Sequence, residues 1–165
     1  MKYEELLEKV KDCNRIVIVG RPGTGKTTLA NNLFIKTDHR NLLHTDEFLK
    51  ETTHTELPKF INGQLEPLAS YIVEGTTTAR MLKYGLEPDA VIVLNNDLPI
   101  LPKHKGITTG VIRSFDTWRE RNPDAPVFYV WMNNLMYPPS PYTDEDVDTF
   151  IEENAELFEK LSKYD

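Results

Sequence analysis

Apolar side chains recur along this chain in two alternating rhythms, and the alternation predicts its elements. Between residues 3 and 12, Tyr3, Leu6, Leu7 and Val10 fall at helical spacing, with glutamates early and lysines late as a helix dipole favours. The β-branched run Ile16-Val17-Ile18-Val19 follows, and it predicts a first strand over Arg15 to Gly20. Leu29, Ala30, Leu33 and Phe34 then return to one face of a helix. A second strand is expected at Asn41-Leu42-Leu43-His44, with its carboxyl end at Asp46. Residues 51 to 70 read as helix or loop, with Pro58 and Pro67 as breakers. Tyr71-Ile72-Val73, closed by Glu74-Gly75, predicts a third strand, with a helix to follow over Thr77 to Tyr84. Ala90 to Leu94 and Val127 to Trp131 predict the fourth and fifth.

Strands alternating with helices at this spacing predict a three-layer α/β fold, about five parallel strands with helices on both faces. One domain over residues 1–165 is long enough to bury a single core. Ligands of such sheets collect beyond the carboxyl ends of the strands. Gly20, Asp46 and Glu74 all fall at such ends, so three separate stretches converge. Residues 97 to 125 break the rhythm, with Pro99, Pro102, Gly106, Gly110 and Pro123 around a short helical candidate at Ile112 to Arg121. A lid insertion is therefore expected over residues 98–125. The proline-rich turn Pro138-Pro139-Ser140-Pro141 leads to an expected last helix, capped by Thr143, with Val147, Phe150, Ile151, Leu157, Phe158 and Leu161 along its inner stripe.

The net charge of -7 resides entirely between Thr143 and Asp165, where nine acidic residues face two basic ones. It reads as a solvated helix face and leaves a nucleotide or nucleic-acid partner open elsewhere. The single cysteine, Cys13, excludes a disulfide framework and a cysteine zinc site. The chain begins without a signal-like apolar stretch, and no later run approaches a membrane span. A cytoplasmic protein with no membrane partner is expected.

Candidate chemistry centres on Gly20-Arg21-Pro22-Gly23-Thr24-Gly25-Lys26-Thr27, continued by Thr28. Glycines let the backbone turn its N-H groups inward, and a helix starting there adds unpaired donors and the positive end of its dipole. Such a concavity binds a nucleotide's β-phosphate. Lys26 can reach the β- and γ-phosphate oxygens, and the Thr27 hydroxyl is placed to hold Mg²⁺.

The loop, the carboxylate after the second strand and Val73-Glu74-Gly75 together resemble the P-loop kinases, the adenylate, shikimate, gluconate and uridine kinases. The resemblance spans Arg15 to Arg121 in arrangement, and the loop is its specific part. It implies an ATP-dependent kinase with Mg²⁺ as cofactor. Adenylate kinases end the third strand Asp-Gly, whereas this chain has Glu74-Gly75, as uridine kinase-like sequences do. The resemblance implies that Glu74 holds the metal; a buried strand terminus paired with a basic residue is the plainer alternative. It implies that Asp46 accepts or orients the acceptor's proton and helps bind the substrate, and Thr45-Asp46-Glu47-Phe48 also resembles the corresponding segment of phage-type polynucleotide 5′-hydroxyl kinases. A helix N-cap is the alternative for Asp46, and Glu47 a less favoured substitute.

Within the expected lid, Lys103, Lys105, Arg113, Arg119 and Arg121 outnumber Asp116 and Glu120. Lid arginines in kinases neutralise the transferring phosphoryl group. Arg113 and Arg119 are the candidate catalytic pair and Arg121 a candidate substrate contact; a solvated basic surface is the alternative for at least half of the lid cations. Outside the lid, the resemblance implies Arg80 as a further substrate contact, with a surface role as its alternative. Phe115 and Trp118 could stack on a base, or form the lid's own apolar face. His39, His44, His54 and His104 lack metal-ligand spacing and read as incidental. The expected acceptor is a hydroxyl on a nucleoside, nucleotide or nucleic acid, a DNA or RNA 5′-end or a modified base included. A small metabolite such as a sugar acid is second and a nucleoside monophosphate third. A regulatory NTPase without an acceptor is the alternative from another class. Asn95-Asn96-Asp97 lacks the lysine of the guanine motif, and the third strand lacks the Asp-Glu pair of motor ATPases.

Overall fold

A computed structural model describes residues 1–39 and 41–135. Five parallel strands form one sheet in the order β2-β3-β1-β4-β5: β1 Arg15–Val19, β2 Leu42–His44, β3 Tyr71–Glu74, β4 Ala90–Asn95 and β5 Val127–Trp131. The helices are α1 Tyr3–Val10, α2 Lys26–Lys36, α3 Leu57–Leu65, α4 Thr78–Lys83, α5 Lys105–Arg121 and the short α6 Met132–Leu135. This is the three-layer α/β fold with five parallel strands that the sequence rhythm predicts.

The pleat sorts each strand's side chains between two cores. Ile16, Ile18, Ile72, Ala90, Ile92 and Leu94 pack with Tyr3, Leu6 and Val10 of α1 and Leu29, Ala30 and Leu33 of α2. Val17, Val19, Tyr71, Val73 and Val91 turn to the other face, against Leu57, Ile61 and Leu65 of α3, Met81 and Leu82 of α4, and α5. Both faces are dry, and so the strands read as continuous apolar runs. The helices following β1 and β3 thus lie on opposite faces, although these strands are neighbours. Their connections part at the carboxyl ends and open the crevice in which such folds bind ligands.

Three expectations change. Pro58 does not break the chain between the second and third strands; it stands in the first turn of α3, where a missing N-H costs nothing. The connection after β2 continues as a 3-10 helix, Thr45–Lys50, and so Asp46 lies in its first turn. The helical part of the expected lid is the third. It runs from Lys105, seven residues earlier than expected, and it is the crossover between β4 and β5, packed on α4. Val111, Phe115 and Trp118 belong to the core cluster, and Trp118 is 5% exposed. Gly106 and Gly110, taken as breakers, are accommodated inside the helix because apolar residues at 111, 115 and 118 bury one stripe of it. The expected last helix after Thr143 lies outside the described residues.

Candidate nucleotide and phosphoryl-transfer site

The loop between β1 and α2 is built on three glycines with different duties. Gly23 and Gly25 hold φ of +80° and +89°, a left-handed conformation that side chains other than glycine's resist. Gly20 is required by space: a Cβ there would stand 2.7 Å from Thr24 Oγ1 and 2.8 Å from the Leu94 carbonyl. The turn is also tied internally, since the Arg21 carbonyl accepts from Thr24 Oγ1 at 3.0 Å and from Lys26 Nζ at 2.8 Å. Gly25 serves as N-cap of α2 without any side-chain acceptor, which leaves the first-turn donors of the helix for a ligand. Thr28 lies in that same first turn.

Arg21 leaves the loop sideways. Its guanidinium donates to Asn95 Oδ1 at 3.3 Å, Asn96 Oδ1 at 2.6 Å and the Leu98 carbonyl at 2.6 Å. Asn96 returns a bond from its Nδ2 to the Gly23 carbonyl, 2.8 Å away. The asparagines that fail as a guanine motif thus brace the phosphate loop from the neighbouring strand. Their signal in sequence is a polar pair at the carboxyl end of an apolar strand.

Thr27 Oγ1 donates to Glu74 Oε1 at 3.2 Å, across the crevice between α2 and β3. Two hard oxygen groups converge there, next to where a triphosphate would lie. Mg²⁺ fits this arrangement, because it takes only one or two protein oxygens and completes its shell with phosphates and water. No group of three or more His, Cys, Asp or Glu residues that could hold a metal is present among the described residues. His44, read from sequence as incidental, is the correction here. It pairs in register with Glu74 across β2 and β3, so both side chains leave the sheet on one face, and His44 Nδ1 contacts Glu74 Oε1. His44 is 1% exposed and Glu74 4%. Neighbouring Gly75 is also dictated by space, since a Cβ there would meet Thr45 Oγ1 at 1.9 Å.

Asp46 comes to the same place. Burial, and next the charge of Glu74, raise its pKa above the ordinary carboxylate value, while Lys26, His44 and His54 oppose the shift. Burial lowers the pKa of Lys26, against the pull of Glu74 and Asp46. Lys26 and Asp46 therefore lie within electrostatic reach of each other and of the Glu74 carboxylate. Arg80 is held by two bonds: its NH1 donates to the His54 carbonyl at 3.1 Å and its NH2 to Thr77 Oγ1 at 3.3 Å. The guanidinium is thereby held between α4 and the turn before α3.

The expected lid arginines are not brought in. α5 runs antiparallel to the strands, and its carboxyl end therefore lies at the opposite edge of the sheet from the loop. Arg119, in its last turn, donates to the Asn122 carbonyl at 3.2 Å and the Ala125 carbonyl at 2.7 Å, closing the entry to β5. Arg121 ends the same helix, and Arg113 is exposed at mid-helix. A 17-residue helix is about 25 Å long, far beyond the reach of one side chain. Phe115 and Trp118, candidates for base stacking, contact each other in the core at 5.7 Å between ring centres.

A family model described as Novel STAND NTPase 3 matches residues 1–66, from α1 through α3. No curated protein matches the chain. Among solved structures, a shikimate kinase from Acinetobacter baumannii in complex with shikimate is similar at 11% identity, covering 90% of this chain and 97% of its own, with a TM-score of 0.46. A shikimate kinase from Bacteroides thetaiotaomicron gives 11% identity, 89% and 99% coverage and a TM-score of 0.42. One from Aquifex aeolicus gives 15%, 86% and 98%, and 0.41. No helix among the described residues is long and apolar enough to cross a membrane.

Proposed function

We propose that the protein is an ATP- and Mg²⁺-dependent phosphotransferase that moves the γ-phosphoryl group to a hydroxyl. The observation that carries this reading is the convergence of Lys26, Asp46 and the Thr27–Glu74 pair at one crevice. The inward N-H groups of the loop receive the β-phosphate, and Lys26 swings from the Arg21 carbonyl to the β- and γ-oxygens. Thr27 and Glu74 would hold Mg²⁺, which neutralises charge on the phosphates when bound. The acceptor's oxygen attacks the γ-phosphorus as the bond to the β-γ bridging oxygen breaks, and the acceptor's proton passes to Asp46. A raised pKa suits a group that must take up a proton near neutrality.

The acceptor lies between Asp46 and Arg80. Phe115 and Trp118, the two rings that would have favoured a nucleobase over a compact acceptor, are spent on the core. A small hydroxylated compound carrying an anionic group for Arg80 is therefore favoured over a nucleic-acid end. Incubation with γ-labelled ATP and a panel of sugar acids, nucleosides, DNA and RNA tests this. Label on a small acceptor supports the reading, and label on DNA or RNA ends would reverse the preference.

The match of residues 1–66 to an NTPase family model favours a second reading, a regulatory NTPase that uses the same loop without an acceptor. It predicts label in free phosphate alone, and an Asp46→Asn variant that hydrolyses at the parental rate.

A further inference from the structure

We infer that His44 is a positioning residue for metal binding: it fixes the Glu74 carboxylate so that one oxygen is engaged by the protein and the other is left for the cation. The inference rests on the reading of this crevice as a metal-nucleotide site, and it is the same for a kinase and for a regulatory NTPase.

The geometry begins in the sheet. Glu74 is the last residue of a strand flanked by β1 and β2, and its register partners are Ile18 and His44. On the Ile18 side it meets hydrocarbon; on the other it meets an imidazole. A buried carboxylate with no donors would carry a heavy desolvation cost. Here Oε1 accepts from Thr27 Oγ1 and from His44 Nδ1-H, and both bonds fall on the same oxygen. Oε2 has no hydrogen-bond partner among the described residues. The carboxylate is thereby locked about its own axis, with one lone-pair set consumed and the other available.

The imidazole is specialised for this one bond. Its Nδ1 carries the hydrogen of this bond because the carboxylate oxygen accepts, and Nε2 is buried with no partner among the described residues. The unpaired nitrogen is the cost of placing a donor at this point of the sheet. Thr27 is compatible with the same arrangement, since its hydroxyl hydrogen points to Glu74 and its oxygen lone pairs stay available to a cation. Carboxylates that ligate metals are commonly held by such outer partners, and losing one typically costs 10- to 100-fold in metal affinity.

The experiment is titration calorimetry of ATP binding, with excess Mg²⁺ and again with a chelator, for the parent, His44→Leu and His44→Asn. Leucine fills the space without a donor, while the asparagine amide places N-H near the position of Nδ1. The expected result is a loss of about tenfold or more for Mg²⁺-ATP in His44→Leu, with metal-free ATP binding within twofold of the parent, and recovery of most of the loss in His44→Asn. Metal-free binding doubles as the check that the variant is folded. Equal weakening with and without Mg²⁺ would overturn the inference, since that marks a purely structural histidine; unchanged binding in both conditions would overturn it as well. Parent protein that binds ATP in neither condition would refute the nucleotide site itself, and is distinguishable from both.

Discussion

Two connections leave the carboxyl ends of the neighbouring strands β1 and β4, and they spend their residues in opposite ways. The loop after β1 is short, rich in glycine and braced by hydrogen bonds to its own carbonyls and to Asn96, and it leaves its N-H groups uncommitted. The connection after β4 is long, carries more cations and both candidate stacking rings, and it commits both rings and Arg119 to structure while Lys103, Lys105, Arg113 and Arg121 stay exposed. Phe115 and Trp118 fill core space, and Arg119 closes the turn into β5. Charge and aromatic content alone do not mark a functional segment. What marks it is polar groups left unspent beside a strand end.

The sharpest way to test the contrast is Lys26→Ala. Phosphoryl transfer, or hydrolysis under the second reading, should fall by roughly a thousandfold or more, because positioning and charge neutralisation dominate this chemistry. The melting temperature should hold or rise, since burial already disfavours that ammonium. Retained activity in a folded variant would refute the loop's proposed role.

Next in size is Asp46→Asn, expected to lose about 10²- to 10⁴-fold in transfer with ATP binding intact. The pH dependence follows from its raised pKa. In the parent, transfer declines on acidification with a midpoint above the ordinary carboxylate value, as Asp46 becomes protonated and can no longer accept. For stability the sign is opposite to that of a salt-bridged aspartate: the folded state holds the proton more tightly than the unfolded chain, so ionisation costs stability at neutral pH. Asp46→Asn should therefore melt higher than the parent at pH 7, and the gain should shrink as pH falls toward about 3.9, the unfolded aspartate value. A lower melting point at pH 7 would point instead to a capping role.

On the other connection, Trp118→Ala should cost about 3–5 kcal/mol in chemical denaturation through the cavity it leaves. Any surviving folded protein should bind ATP with the parental affinity; selective loss of ATP binding at full stability would restore the lid. The smallest effects belong to the cations of α5. Arg119→Ala should lose about 1 kcal/mol of stability with the two carbonyl contacts, and Arg113→Ala should leave both melting temperature and turnover within error. A hundredfold loss of turnover in Arg113→Ala would show that this connection reaches the phosphates after all.

Much of the fold was legible because its signals are local. The β-branched run of four at Ile16 to Val19, a helix stripe at Leu29, Ala30 and Leu33, and glycines before a lysine each act within a few positions, and all stand where the rhythm placed them. The start of α3 was misread at Pro58 because a proline that ends one element and one that begins another look alike without their neighbours. The start of α5 was missed for a related reason. Gly106 and Gly110 disfavour a helix locally, and the packing of Val111, Phe115 and Trp118 against the sheet outweighs that preference.

The sequence by itself determined the phosphate loop, the alternation of layers and the three strand ends that meet, since each depends on the order of side chains along a short stretch. Only the tertiary structure decided which of the remaining polar residues serve the site. His44 reaches Glu74 because parallel register sets two residues thirty positions apart on the same face. Asn96 reaches Gly23, and Arg119 is carried away, because strand order and the antiparallel course of a crossover helix fix which edge of the sheet each one occupies. Pairing and direction are properties of the assembled sheet, and no spacing along one chain segment encodes them.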